Sequence, residues 1–99
     1  MLKHIVMWRL KENALGKTKQ ENSLWIKESL EALVGQIPEL ISAKVGINAN
    51  ENELCDVVLV SEVKDFDDLK AYATNPLHVA VGAELKQMCE SRIAADYWE

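Results

Sequence analysis

The chain has 99 residues, enough for one domain (residues 1–99) with a modest hydrophobic core. Its net charge of −5 disfavours binding to nucleic acid or to an anionic membrane surface, since both require a basic patch. No stretch approaches the ~18 apolar residues of a membrane span and no signal-peptide core follows Met1, so we expect a cytoplasmic protein.

The first predicted element is a strand over Leu2–Leu10 whose two faces both carry apolar side chains. One face holds Leu2, His4, Val6 and Trp8, and the other holds Lys3, Ile5, Met7 and Arg9. A strand that is apolar on both faces is predicted to be covered on both sides. The polar residues 11–19 that follow predict a loop.

An amphipathic helix is predicted between about residues 17 and 37. One apolar stripe runs along it, formed by Ile26, Leu30, Leu33, Val34 and Ile37. Gly35 and Pro38 are expected to end this helix. Trp25 lies off the stripe, and it is interpreted as a structural ring, with a place at the mouth of a pocket as the alternative.

Two more strands are predicted over residues 40–48 and 54–63, separated by a polar turn. Asp65 then suits the N-cap of a short helix whose buried side is predicted to carry Phe66, Leu69 and Ala73. Asn75 and Pro76 are expected to end this helix and begin another, because proline disfavours helical backbone before it but suits a first helical turn. A last strand is predicted over residues 92–98.

The predicted order is β-α-β-β-α-β, with the second helix broken at Asn75-Pro76. This order is typical of the ferredoxin-like α+β fold, a four-stranded antiparallel sheet with its helices on one face. Because the strands are apolar on both faces, something else must cover the open face of the sheet. A second copy of the same sheet is the simplest cover, so we predict a homodimer that joins through sheet faces.

His78 is the strongest candidate for chemistry. It falls in the first turn of the helix that begins at Pro76, where the positive helix end disfavours a charged imidazole. A neutral imidazole beside a cavity can accept a proton, as a general base must. The alternative is a structural histidine bonded to a nearby backbone group.

Tyr72 precedes His78 across the helix break, and its hydroxyl could donate to a carbonyl or enolate oxygen. Packing of an amphipathic ring is its structural alternative. His4 is interpreted first as a structural histidine, or else as lining a cavity together with Tyr97 if the first and last strands pair.

Motifs for other chemistries are lacking. The chain has two histidines and no HExxH motif, so we predict no metal site, and no glycine-rich phosphate loop or other cofactor motif is found. Cys55 and Cys89 lie far apart. A single disulfide between them is the alternative to two free thiols in a reducing compartment, which we favour.

Several segments resemble one known family, the stress-responsive dimeric A/B barrel domain. They are Lys-His-Ile-Val-Met-Trp-Arg-Leu at the start, Cys-Asp-Val-Val-Leu-Val-Ser-Glu-Val in the third strand, Tyr-Ala-Thr-Asn-Pro-Leu-His at the helix break and Ala-Asp-Tyr at the end. The resemblance spans essentially the whole chain. It implies a ferredoxin-like subunit that pairs with a second one to form a barrel, with a cleft in each subunit.

The resemblance also implies roles for particular residues. A characterised plant member is a polyketide cyclase that closes a ring by aldol chemistry, and its base, assisting tyrosine and N-terminal histidine match His78, Tyr72 and His4. Asn75 and Val57 stand where that cyclase has histidines. Val6, Trp25, Val57 and Tyr97 are expected to line the cleft with His4.

Three functions follow as hypotheses. The first is a dimer that binds a small apolar or carbonyl-bearing molecule in the cleft near His78. The second is a cofactor-independent cyclase or isomerase with His78 as base and Tyr72 as hydroxyl donor. The third is a monooxygenase-like relative built on the same barrel.

Overall fold

Four strands form one antiparallel sheet with three helices against one face, in a computed structural model that describes residues 1–99. The elements are β1 (Leu2–Leu10), β2 (Asn13–Ala14), β3 (Lys17–Thr18), α1 (Lys19–Glu31), β4 (Ser42–Ile47), β5 (Val57–Val63), α2 (Phe66–Thr74), α3 (Pro76–Met88) and β6 (Cys89–Trp98). The sheet order is β4-β5-β1-β6, while β2 and β3 form a small separate hairpin. The predicted ferredoxin-like fold is confirmed.

Helix α1 is shorter than the sequence predicts. It begins with a capping box, in which the Thr18 hydroxyl accepts from the Glu21 backbone N–H and the Glu21 carboxylate accepts from the Thr18 N–H. It ends at Glu31 instead of near residue 37, and Gly35 follows at a φ of 89° that favours glycine. Leu33 and Ile37 are buried all the same, because the turns after the helix keep them against the core.

Strand β5 also begins later than predicted, at Val57. The Asp56 carboxylate accepts a hydrogen bond from the Leu10 N–H at 2.7 Å, and the Asp56 N–H donates to the Trp8 carbonyl at 2.9 Å. These bonds tie residue 56 to the end of β1, and Leu54 lies exposed in the preceding loop. The last strand, in contrast, begins earlier than predicted, directly after α3 at Cys89.

The two faces of the sheet differ in burial. Leu2, Val6, Trp8 and Leu10 point toward the helices and are buried in the core. The outer face carries apolar side chains that remain partly or largely exposed, namely Ile5, Met7, Val58, Val60, Ile93 and Tyr97. Strand β6 is exposed along nearly its whole length. An apolar outer face on an otherwise acidic chain is the structural basis for expecting a partner there.

The edge of the sheet at β4 is covered by side chains from α1. Glu31 Oε2 accepts a hydrogen bond from the Val45 N–H at 2.8 Å, and Lys27 Nζ donates to the Val45 carbonyl at 2.9 Å. Lys27 and Glu31 also pair with each other at 2.8 Å. These two side chains therefore satisfy the outward backbone groups in the middle of the edge strand.

Two further expectations concern the thiols and the membrane. Cys55 and Cys89 are both free thiols and are partly buried, so the structure contains no disulfide. None of the helices combines the length and the apolar character that crossing a bilayer demands.

Candidate functional site

The break between α2 and α3 positions the two central side chains of the site. Asn75 ends α2 by donating its N–H to the Tyr72 carbonyl at 3.2 Å, and its side-chain oxygen accepts from the Leu77 N–H at 3.0 Å. Pro76 fills the first position of α3, as predicted. The new helix direction brings His78 beside Tyr72, with ring centroids 4.4 Å apart and an angle of 53° between the rings.

The hydrogen bond of His78 fixes which ring nitrogen carries the proton. Nδ1 lies 3.1 Å from the Ala73 carbonyl oxygen, and because a carbonyl can only accept, Nδ1 must donate. Burial lowers the pKa of His78, assisted by His4 and Arg92 and opposed by the Ala73 bond. The ring is therefore neutral near pH 7, with a free lone pair on Nε2.

Tyr72 presents a buried hydroxyl that has no partner in the protein. The side chain is only 1% exposed, and its oxygen forms no hydrogen bond. Burial raises its pKa to about 12, so the hydroxyl keeps its proton at all ordinary pH values. Leaving such a group unpaired costs roughly 1–3 kcal/mol, and an acceptor on a bound molecule would recover that free energy.

His4 and Asp96 form a second polar pair, between β1 and β6. The two residues face each other in the antiparallel register, and the Asp96 carboxylate accepts from His4 Nδ1. The carboxylate holds the His4 ring in one orientation and tautomer, since an acceptor at Nδ1 keeps the proton there. The Ser61 hydroxyl donates to the His4 carbonyl at 2.8 Å and anchors the same residue from β5.

The prediction that Tyr97 shares a cavity with His4 is wrong for a simple geometric reason. Tyr97 pairs with Lys3, one residue along the register from the His4–Asp96 pair. Neighbouring residues of a strand point to opposite faces, so Tyr97 lies on the outer face of the sheet. Asp96 takes the place beside His4 that was predicted for Tyr97. Only the strand register, which the sequence pattern does not fix, could have identified it.

These groups meet around a cavity of about 440 Å³ between the sheet and the helices. Its lining is mainly apolar and contains both histidines, Tyr72, two cationic residues and no acidic residue. The lining residues are His4, Val6, Trp8, Leu30, Leu59, Leu69, Tyr72, Ala73, His78, Gly82, Leu85, Lys86 and Arg92. Such a volume and lining are typical of a site for a small organic molecule.

Two other expected cleft residues do not reach this cavity. Trp25 packs partly buried against the core from α1, as its structural interpretation predicts. Val57 is fully buried opposite Trp8 and is not one of the residues that line the cavity. Val6 does line the cavity, together with residues that were not predicted from the sequence, above all Arg92 and Lys86.

A metal ion finds no set of ligands in this structure. No group of three or more histidine, cysteine, aspartate or glutamate side chains is close enough together to hold one. The side chains around the cavity offer a hydroxyl donor at Tyr72, a lone pair at His78, the oriented ring of His4 and the charges of Arg92 and Lys86.

Residues 2–99 match the family model described as the stress responsive A/B barrel domain. A dimeric protein of unknown function and ferredoxin-like fold from Bacteroides fragilis NCTC 9343 is 38% identical, with a TM-score of 0.90. The match covers 99% of this chain and 95% of that chain. No curated protein sequence matches the chain.

More distant solved structures share the fold alone. Hydroxynitrile lyase from Passiflora edulis is 20% identical with a TM-score of 0.80, over 97% of this chain and 90% of that chain. An antibiotic biosynthesis monooxygenase is 13% identical with a TM-score of 0.76, over 100% and 98% of the two chains. Proteins with different activities thus use this architecture, so function must be argued from the site itself.

Proposed function

The chain belongs to the stress responsive A/B barrel domain family, and we propose that it binds a small, mainly apolar molecule through a carbonyl oxygen. The Tyr72 hydroxyl is the observation that carries this proposal. This hydroxyl is buried, protonated and without a partner, and Tyr72 is one of the residues that line an apolar cavity. A carbonyl oxygen at the hydroxyl would satisfy the donor, while Val6, Leu59 and Leu85 would contact the apolar part of the molecule.

The test is a titration with 2-octanone, which combines one ketone with a flexible alkyl chain. Binding is measured by isothermal calorimetry and by the increase in melting temperature, which a ligand specific for the folded state must produce. We expect Tyr72→Phe to weaken binding by about 10-fold, because one net hydrogen bond is worth about 1–1.5 kcal/mol.

Tyr97→Phe is the matched control for this titration. It removes the same hydroxyl from the outer face of the sheet, where Tyr97 is 47% exposed, and we expect it to leave binding unchanged. Equal affinities for the wild type and Tyr72→Phe would refute the proposed role of the hydroxyl. A complete lack of binding by the wild type would refute the proposed function.

The second candidate is proton-transfer catalysis, favoured by the free lone pair on His78 Nε2. In this reaction Nε2 would take a proton from the carbon next to the ketone, and the Tyr72 hydroxyl would donate to the enolate oxygen that forms. Returning the proton to the same carbon restores the ketone, so no cofactor is consumed. The rings of Tyr72 and His78 are close enough to act on one small molecule.

Exchange of the protons beside the carbonyl of 2-octanone for deuterium reports this step without knowledge of the natural substrate. NMR in heavy water should show exchange that the wild-type protein accelerates and that His78→Ala reduces by about 100-fold or more, the size typical of a general base. Binding of 2-octanone without faster exchange would assign the cavity to binding alone.

We also propose that the active form is a homodimer joined through the outer face of the sheet. The apolar side chains on that face and the long exposed strand β6 support this assembly. The Bacteroides fragilis relative is described as dimeric.

The two free thiols support a reducing location, which we take to be the cytoplasm.

A further inference from the structure

The charges around the cavity oppose the charge of the chain as a whole. The protein has 16 acidic residues against 11 lysines and arginines, yet none of the acidic residues lines the cavity. Lys86 and Arg92 are the only lysine and arginine among the lining residues, and His78 is neutral near pH 7. The cavity is therefore a positively charged site on a negatively charged protein.

The two cationic residues approach the cavity from different elements. Arg92 lies on β6 opposite Trp8 and so shares the inner face of the sheet with His4 and Val6. Lys86 lies in the last turn of α3. The cavity thus has one cationic side chain on the sheet side and one on the helix side.

Neither cationic group is neutralised by the protein. Arg92 and Lys86 form none of the ion pairs in this structure, although Arg9 pairs with Glu90 and Lys3 pairs with Glu62. A guanidinium without a carboxylate partner beside an apolar cavity retains its full capacity to bind an anion, and its planar donors match the two oxygens of a carboxylate.

We propose that Arg92 and Lys86 select a ligand that carries a carboxylate as well as its carbonyl group, so that the natural ligand is a small apolar oxo acid. This inference rests on the proposed function, because it concerns a second group on the molecule that Tyr72 binds. The apolar lining contacts the carbon chain, Tyr72 donates to the carbonyl oxygen, and the carboxylate lies at Arg92 and Lys86.

The test compares ligands of equal length with the same ketone, of which one is charged and the other is neutral. The probes are 4-oxopentanoate and 7-oxooctanoate, each against its primary amide, which keeps the ketone and the length but removes the charge. We expect the better of the two acids to bind about 10-fold more tightly than its amide at low salt, the effect of a charge-assisted contact. Added salt should weaken the binding of the acid and leave the binding of the amide unchanged, because salt screens partly exposed charges.

Variants assign the preference to the two cationic residues. We expect Arg92→Gln to reduce the preference for the acid by about 5-fold and the double change Arg92→Gln with Lys86→Gln to abolish it. Lys64→Gln is the matched control, because it removes one positive charge from an exposed residue outside the cavity. Circular dichroism of each variant checks that the fold is kept.

The outcomes separate this inference from the proposed function. If the amides bind in a Tyr72-dependent way and the acids bind no more tightly, the oxo-acid inference is overturned and the carbonyl site stands. A preference for the acid that persists in the double variant also overturns it. If neither acids nor amides bind the wild-type protein, the proposed function and this inference fail together.

Discussion

Tyr72 contributes a large buried ring to the core but leaves its hydroxyl unpaired. The unpaired hydroxyl lowers the stability of the folded protein, and the same hydroxyl is the proposed donor to a ligand. We therefore expect Tyr72→Phe to raise the free energy of unfolding by about 1 kcal/mol, because the variant no longer buries an unsatisfied donor. Urea unfolding followed by circular dichroism measures this change. A loss of stability in Tyr72→Phe would mean that the hydroxyl is paired in the folded protein, for instance by an ordered water.

His78 should make stability depend on pH. An imidazole in the unfolded chain has a pKa near 6.5, while burial lowers the pKa of His78 in the folded protein. Between these two pKa values the unfolded chain binds more protons than the folded protein. His78 therefore leaves the free energy of unfolding undiminished above about pH 6.5 and lowers it as the pH falls toward the folded pKa. The slope of unfolding free energy between about pH 5 and pH 7 should be smaller in His78→Gln. An unchanged slope in that variant would assign the pH dependence to other groups.

The sequence predicted these residues unequally well. Tyr72 and His78 could be selected because both flank the Asn75-Pro76 break, a local signal that does not require knowledge of the fold. Asp96 and Arg92 could not, because their inward direction depends on how β6 aligns with β1. Moving that register by one residue would turn both side chains to the outer face.

At the scale of elements, the cap at Asn75 joins two helices and holds the geometry of the site. Its side-chain oxygen accepts a hydrogen bond from the Leu77 N–H. Asn75 is followed directly by Pro76, the first residue of α3, so this cap sets the start of the helix that carries His78. We expect Asn75→Ala to lower the free energy of unfolding by about 1 kcal/mol, the usual cost of losing an N-cap. Asn75→Asp, which keeps an acceptor, serves as the control in the same urea unfolding experiment and should retain most of the stability.

The types and the order of the main elements could be predicted, but several of their ends and faces could not. The apolar stripe predicted that α1 extends to residue 37, but the helix ends at Glu31. Leu33 and Ile37 belong to the turns that follow the helix and are still buried in the core. In α2 the predicted buried side held Phe66, yet Phe66 is 53% exposed and packs edge-on against Trp98 at 5.7 Å. Tertiary contacts decide such cases, and periodicity alone does not contain them.

At the scale of the whole molecule, the outer face of the sheet should determine the oligomeric state. Val60 lies in the central part of this face on β5, opposite Ile5 of β1, and is 40% exposed. We expect Val60→Glu to convert a dimer into a monomer at about 10 µM, because a buried unpaired carboxylate costs several kcal/mol. Light scattering coupled to size-exclusion chromatography measures the mass.

Leu24→Glu is the control for the dimer experiment. Leu24 is a comparably exposed leucine on α1, which packs on the opposite face of the sheet, so this change should leave the mass unchanged. A monomeric wild type at the same concentration, or a Val60→Glu protein that remains dimeric, would contradict an interface on the outer face.

The side chains of Lys27 and Glu31 that cover the β4 edge limit how copies of this sheet can associate. A strand from another molecule can extend the sheet only where backbone donors and acceptors are free, and the middle of β4 offers none at Val45. The β6 edge, at the other side of the sheet, carries no such cover from the helices. Continuous edge-to-edge growth needs both edges of every molecule, so the cover at Val45 disfavours extension of this sheet into fibrils.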